Sequence, residues 1–514
     1  MNDQELAPID SGPHGALHLR EDEFGSSQTR RTEGSRQLGV GGILLMVVAA
    51  AAPLGFVAAT IPVIMAVSQS VATPQYFIIA MVILLLFAVG FTAMSPHVRN
   101  AGAFYSYVQA GLGRVTGLGA ATLAIGSYGL LLLAVNAYFG VTMNNLVVRY
   151  SAVELPWWLY SLAALGVVAF LAYRDIEVSS RVLGFLLAAE TLVVVVLDVG
   201  IVISGGEAGL TAQPFSPTEL GIGAPALGLM FAFFGFIGFE ATAVFRNEAK
   251  SPDRTIPRAT FVAIIGIGIF YALSSWAVIV GSGVDNAVGD ASTSPSTLVI
   301  DLAATYVSPV VADVMQVLLV TSVFACVLSF HNVITRYEGA LAQKGVLPRW
   351  LGQINLRHNA PSRASLVLSA VTLVVTLLLI VAGPDPIALY TWLSGAATLG
   401  IVALMALTST AVIVYFRRSR TDSRPWQTVI APTGALIGLL IILALVVSNF
   451  TLLTGDSVSA GVLGTLIVVT FGVGIVTALI IKVRRPNTFA ALGDDSSTAE
   501  TETTLPLSAL SAKD

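Results

Sequence analysis

The chain has 514 residues, 55% of them hydrophobic and only 11% charged, with a formal net charge of −4. An ordinary soluble domain carries roughly 25% charged residues, so this chain cannot wet a globular surface, and its apolar runs reach the roughly 20 residues that cross a bilayer at 1.5 Å per residue. Basic residues dispersed between apolar runs exclude a nucleic-acid surface, and the single cysteine, Cys326, excludes an intrachain disulfide.

Residues 1–39 are polar and mixed in charge, with Arg30, Arg31 and Arg36 among Ser, Gly and Glu. They lack the apolar core of a signal peptide and read as a disordered cytoplasmic tail. One transmembrane domain is expected over 40–485, and a Ser-, Thr- and acid-rich tail over 486–514 is expected to be disordered as well. Within the domain twelve apolar stretches lie at about 41–69, 76–95, 115–147, 156–173, 183–204, 224–246, 257–281, 308–334, 364–382, 387–416, 428–449 and 459–482. The third, eighth and tenth are long enough to tilt or protrude.

The first stretch reads AAAAPLGFVAATIP and puts Pro53, Gly55 and Pro62 at mid-membrane depth. Pro removes a backbone donor and Gly weakens a helix by about 1 kcal/mol relative to Ala. In lipid the freed N–H and C=O groups must be satisfied by protein, water or ligand. The third stretch carries Tyr128 and Asn136, candidates to face a ligand, and the fifth carries Glu190 and Asp198, eight residues apart and so on nearly one helical face. The sixth reads FAFFGFIGFE, with Gly235 and Gly238 at a depth like that of the first break and Glu240 at its end. The eighth carries His331, with no second His or Cys at ligand spacing, so packing or gating fits it better than a metal.

Lys and Arg are retained on the cytoplasmic side in short loops. With the N-terminus inside, 25 of the 26 Lys and Arg fall in cytoplasmic segments and only Arg149 falls outside, while Glu207, Glu219, Asp285, Asp290 and Asp456 populate the outer loops. The sequence therefore predicts an even number of spans and both termini cytoplasmic. Gly and Pro also make ordinary kinks in membrane helices. Here, however, the breaks fall in spans one and six, the first members of two successive five-span blocks, as an inverted-repeat transporter requires.

Three cytoplasmic stretches carry a family resemblance. SPHVRNAGAFYSYVQAGLGRVTGLGA contains Asn100, Ala101, Gly102, Ala103, Phe104 and Tyr105, closed by Gly113 and Arg114. GFIGFEATAVFRNEAKSPDRTIPRA contains Gly238, Phe239, Glu240, Glu248, Pro252, Ile256 and Pro257. RYEGALAQKGVLPRWLGQINLRHNAPSRA contains Arg336, Gly345, Leu347, Pro348 and Pro361. Together, from about Gly41 to Lys482, the chain resembles the amino acid, polyamine and organocation transporter superfamily.

The resemblance implies an all-α membrane protein of about twelve helices. Its fold would be of the leucine-transporter type, with a 5+5 inverted repeat plus two C-terminal helices and with helices one and six discontinuous. It implies secondary transport of an amino acid or related amine, by proton symport or substrate exchange, in the cytoplasmic membrane. Substrate would bind at Pro53, Leu54, Gly55 and Phe56 of span one and at Phe234, Gly235, Phe236, Ile237 and Gly238 of span six, with Phe234 as an aromatic gate. Span one departs from the family's Gly-Ser/Ala-Gly turn, reading Ala52, Pro53, Leu54, Gly55, Phe56. Glu190 stands about where several relatives place a Lys that substitutes for a sodium ion. A carboxylate there is costly in its charged form and is expected to carry the coupled proton. Glu240 is expected to brace the unwound turn or join the binding site.

The expected partners are thus the small-molecule substrate, the proton and the lipid bilayer, with no cofactor, metal or nucleic acid. A major-facilitator transporter would need a long central loop after span six, and 247–255 is short. No filter motif marks a channel. An intramembrane enzyme would need a nucleophile with a base, or a metal set, and neither motif is present. The tails are short for a sensor's signalling domain.

Overall fold

Backbone polar groups in a bilayer are satisfied within a helix or by neighbouring protein, and this chain meets that demand with helices. The computed structural model describes residues 39–43, 52–98, 103–151, 153–174, 180–244, 249–353 and 361–492. Beyond a helical turn at 40–43, the elements are α1 (Pro53–Ser68), α2 (Thr73–Met94), α3 (Ala103–Leu112), α4 (Arg114–Ser151), α5 (Trp157–Tyr173), α6 (Ser180–Ser204), α7 (Pro225–Phe234) and α8 (Ala241–Val244). There follow α9 (Pro252–Ser282), α10 (Ala287–Thr293), α11 (Leu298–Tyr306), α12 (Pro309–Gln343), α13 (Ser362–Ala382), α14 (Pro386–Ser419), α15 (Ala431–Thr454), α16 (Ser457–Arg484) and α17 (Pro486–Ala491).

Among the described residues nine helices are long and apolar enough to cross a membrane, and three shorter apolar ones, α1, α5 and α7, fall on the remaining expected spans. The three stretches expected to be long enough to tilt or protrude form the longest helices among the described residues: α4 has 38 residues, α12 has 35 and α14 has 34. Apolar side chains such as Phe185, Ile203, Val381 and Val483 stay exposed on the outside of the bundle, which suits a lipid solvent.

The two five-span blocks are α1, α2, α4, α5, α6 and α7–α8, α9, α12, α13, α14. Four of the five corresponding pairs pack on one another: α1 on α7, α2 on α9, α4 on α12 and α5 on α13. This pairing agrees with two blocks related by a two-fold axis, as in an inverted repeat. α15 and α16 pack on the outside of the blocks, chiefly against α14 and α4.

The two ends of the bundle differ. At one, α10 and α11 pack on α1, and Arg149, the one basic residue that breaks the charge rule, pairs with Asp313. At the other, α3 packs along α14, and the ring of His97 lies 5.7 Å from that of Tyr415. There the tail expected to be disordered from 486 begins instead with α17. Its Phe489 ring lies under the Arg114 guanidinium at 5.6 Å, and the Gln109 amide donates to the Leu492 carbonyl. A cation–π contact and a hydrogen bond hold this first turn of the tail; residues 493–514 and 1–38 lie outside the described residues, as do Asn100, Ala101, Gly102, Arg246 and Glu248 of the sequence motifs.

Candidate functional site at two helix breaks

The break in span six is a six-residue turn from Gly235 to Glu240 between α7 and α8. Its N–H groups shift from four residues back to three: Gly235 is shared between Phe231 at 3.4 Å and Ala232 at 3.2 Å, and then Phe236 bonds Phe233 at 3.1 Å and Ile237 bonds Phe234 at 3.0 Å. Gly238 then adopts a φ of 112°, a left-handed conformation that side chains with a Cβ resist. Its N–H donates to Glu240 Oε2 at 2.9 Å, while Tyr128 Oη of α4 donates to Glu240 Oε1 at 2.6 Å. Both oxygens of this buried carboxylate are taken up within the protein. Among the described residues no backbone N–H outside the helices donates to the carbonyls of Gly235 and Ile237, which leaves acceptor capacity in the turn.

The break in span one falls at Ala52, held in the left-handed region at φ 42°, ψ 71°, immediately before α1. Pro53 occupies the first helical position, where its missing N–H costs nothing and its fixed φ favours the helix. Gly55 and Pro62, expected at the break, lie inside α1. Leu54 and Gly55 have no carbonyl four residues back within their own helix. The Leu54 N–H lies against the carboxylate of Glu190 on α6, which also accepts from Ser322 Oγ of α12 at 2.8 Å. A carboxylate thus sits at the positive end of the α1 dipole and ties together α1, α6 and α12.

Between the two breaks lies a small cavity of about 50 Å³, below the roughly 300–1,000 Å³ of sites that enclose drug-sized ligands. α1 contributes Gly55, Phe56, Ala59 and Thr60, preceded by Ala52; α7 and the turn contribute Phe234 and Ile237; α4 contributes Val135 and Tyr138. Val323, Cys326 and Phe330 of α12 and Tyr390 of α14 complete the wall. Towards the α10–α11 end, Thr60 Oγ1 and Tyr390 Oη share a 2.6 Å hydrogen bond, and the Tyr390 ring lies 4.9 Å from Tyr138 and 6.4 Å from Phe234. Phe234 also meets Phe56 edge-on at 5.6 Å. Towards the α3 end, Tyr128 lies 6.2 Å from Phe330 and 6.1 Å from Tyr337.

Of the nine residues expected to bind substrate, Gly55, Phe56, Phe234 and Ile237 line the cavity; Pro53, Leu54, Gly235, Phe236 and Gly238 form the two breaks without lining it. Glu190 and Glu240 each brace one break. Tyr128 faces Glu240, and Asn136 is buried away from the wall with Ser161 Oγ donating to its carbonyl. Asp198 accepts from Ser274 Oγ at 2.7 Å, and His331 Nε2 pairs with Ser369 Oγ at 2.9 Å. Neither lines the cavity. Thr60, Tyr138, Val323, Cys326, Phe330 and Tyr390 escaped the sequence reading. Val323, Cys326 and Phe330 recur at helical spacing, but so do the apolar residues of every face in such a chain.

A helical membrane bundle with paired breaks in the leading helices of two interlocked five-helix blocks defines a carrier fold of the leucine-transporter type. A crystal structure of MhsT in complex with L-phenylalanine shares that fold, with a TM-score of 0.55 and 13% identity, covering 78% of this chain and 98% of that one. The model of the amino acid permease family matches residues 38–491, and the chain belongs to that family. An uncharacterized transporter of Mycobacterium tuberculosis is 30% identical over 223 residues, 42% of this chain and 48% of that relative, so the match spans about half the relative's length. The branched-chain amino acid permease BcaP of Bacillus subtilis is 25% identical over 55% of this chain and 63% of that protein. The lysine-specific permease LysP of Lactococcus lactis is 25% identical over 72% and 74%.

Proposed function

We propose that this integral membrane protein is a secondary transporter of an amino acid or related amine in the cytoplasmic membrane, working by alternating access. The observation that carries this reading is the meeting of two helix breaks at one cavity. The positive N-terminal end of α1 suits a carboxylate, and the carbonyl of Ile237, which lines the cavity, suits an ammonium group. Pro53, Leu54, Phe236 and Gly238 serve by shaping those backbone ends, while Gly55, Phe56, Phe234 and Ile237 contact the substrate and Phe234 gates it.

Glu190 is the proton-coupling residue in this proposal. Its carboxylate touches α1, α6 and α12 at once, so a change in its charge acts directly on the α1 break. The retention of Lys and Arg on the cytoplasmic side supports a cytoplasmic position for both termini and the α3 end in this proposal, with the α10–α11 end outside. Uptake of a panel of radiolabelled amino acids into proteoliposomes, with and without an imposed pH gradient, tests the reading. Saturable uptake of at least one of them, raised by an inward proton gradient, is expected. Absence of uptake and of exchange for every amino acid and amine would overturn it.

A further inference from the structure

The cavity wall narrows the substrate class, an inference that rests on the transport reading above. None of the described residues lining the cavity is Asp, Glu, Lys, Arg or His. The polar side-chain groups there are the Thr60 and Tyr390 hydroxyls, already bonded to each other, the Cys326 thiol and the Tyr138 hydroxyl. Tyr138 is 2% exposed and its Oη has no hydrogen-bond partner. Two carboxylates lie near, but both are engaged outside the cavity lining: Glu190 by Ser322 and the Leu54 N–H, Glu240 by Tyr128 and the Gly238 N–H.

We infer that the substrate is a zwitterion whose side chain is uncharged and apolar. Its charged backbone groups are met by the helix ends, which supply partial charges of both signs, and the free Tyr138 hydroxyl offers one neutral hydrogen bond. Its side chain is met by Phe56, Val135, Val323, Phe330 and the ring of Phe234, surfaces that reward apolar and aromatic contact. A lysine, arginine or polyamine would bring a second cation into this wall with no carboxylate to receive it. An aspartate or glutamate would bring a second anion with no basic partner. An ion buried without a partner is strongly disfavoured.

The test is counterflow with the wild-type protein in proteoliposomes preloaded with one unlabelled compound at a time: leucine, methionine, phenylalanine, lysine, arginine, putrescine, glutamate. The apolar neutral amino acids are expected to drive exchange and to compete at least about 100-fold better than the charged ones. Exchange by lysine, arginine, putrescine or glutamate equal to or better than that by leucine and phenylalanine would overturn the inference while leaving the transport reading standing. Failure of every compound to exchange would overturn both.

Discussion

A Cβ added at Gly235 would stand 2.7 Å from Cζ of Phe56, so the end of α7 can meet the first turn of α1 only because this position has no side chain. The Gly235→Ala substitution forces that ring off its rotamer. It is expected to lower thermal stability by about 1–3 kcal/mol and to weaken substrate protection in a thermal-shift assay. Adding Phe56→Leu should restore part of the stability, and lack of any restoration would show that the clash is not the cause. Glu190→Gln keeps an oxygen for Ser322 and Leu54 to bond but cannot take up a proton. Substrate exchange should survive in this variant while accumulation driven by a pH gradient is abolished; accumulation at the wild-type level would remove Glu190 from the coupling step. Tyr138→Phe deletes the one unpartnered hydroxyl in the wall, and weaker substrate binding by about 3- to 10-fold is expected in equilibrium binding.

Elements were more legible than residues, because hydropathy integrates over about 20 positions whereas a cavity is decided by one helical face. The long α4, α12 and α14 and the break after Phe234 follow directly from apolar run length and from FFGFIGFE. The span-one break is less direct: Pro53 and Pro62 look alike in sequence, yet Pro53 starts a helix and Pro62 sits within one. Which of them interrupts the chain depends on whether neighbouring segments supply partners for the freed groups. α10, α11 and α17 have 7, 9 and 6 residues, too short for a window of about 20 to find, and the α12 stripe at the cavity has no composition that separates it from core. The turn between α14 and α15 offers a pH control. The Arg424 side chain hydrogen-bonds Asp422 at 2.7 Å and holds its carboxyl below the usual carboxylate range. A depressed folded-state value stabilises above the unfolded titration near about pH 4 and loses that contribution as pH falls through the folded value. This turn therefore adds no pH dependence between roughly pH 5 and 8, and Asp422→Asn should leave the pH profile of uptake unchanged in that range. A shifted profile would mean that this exposed pair, rather than a membrane carboxylate, contributes to coupling.

Across the whole molecule, alternating access requires that the two blocks separate at one end while they close at the other, so contacts joining block to block near an end act as its latch. The Thr60–Tyr390 hydrogen bond is such a contact: Thr60 lies on α1 of the first block, Tyr390 on α14 of the second, and the pair covers the cavity towards α10 and α11. Cys326 lies in the wall beneath it and is the chain's single cysteine, which makes thiol labelling report on this site alone. Thr60→Val removes one buried hydrogen bond at nearly constant volume. It should raise the population open at that end by roughly 2- to 10-fold, as the loss of about 0.5–1.5 kcal/mol allows. With an impermeant maleimide applied to right-side-out vesicles, Cys326 should label slowly in the wild type, faster by that factor in Thr60→Val and Tyr390→Phe, and more slowly again when substrate is present. Equal labelling rates in all three proteins would show that this pair does not hold the external end shut.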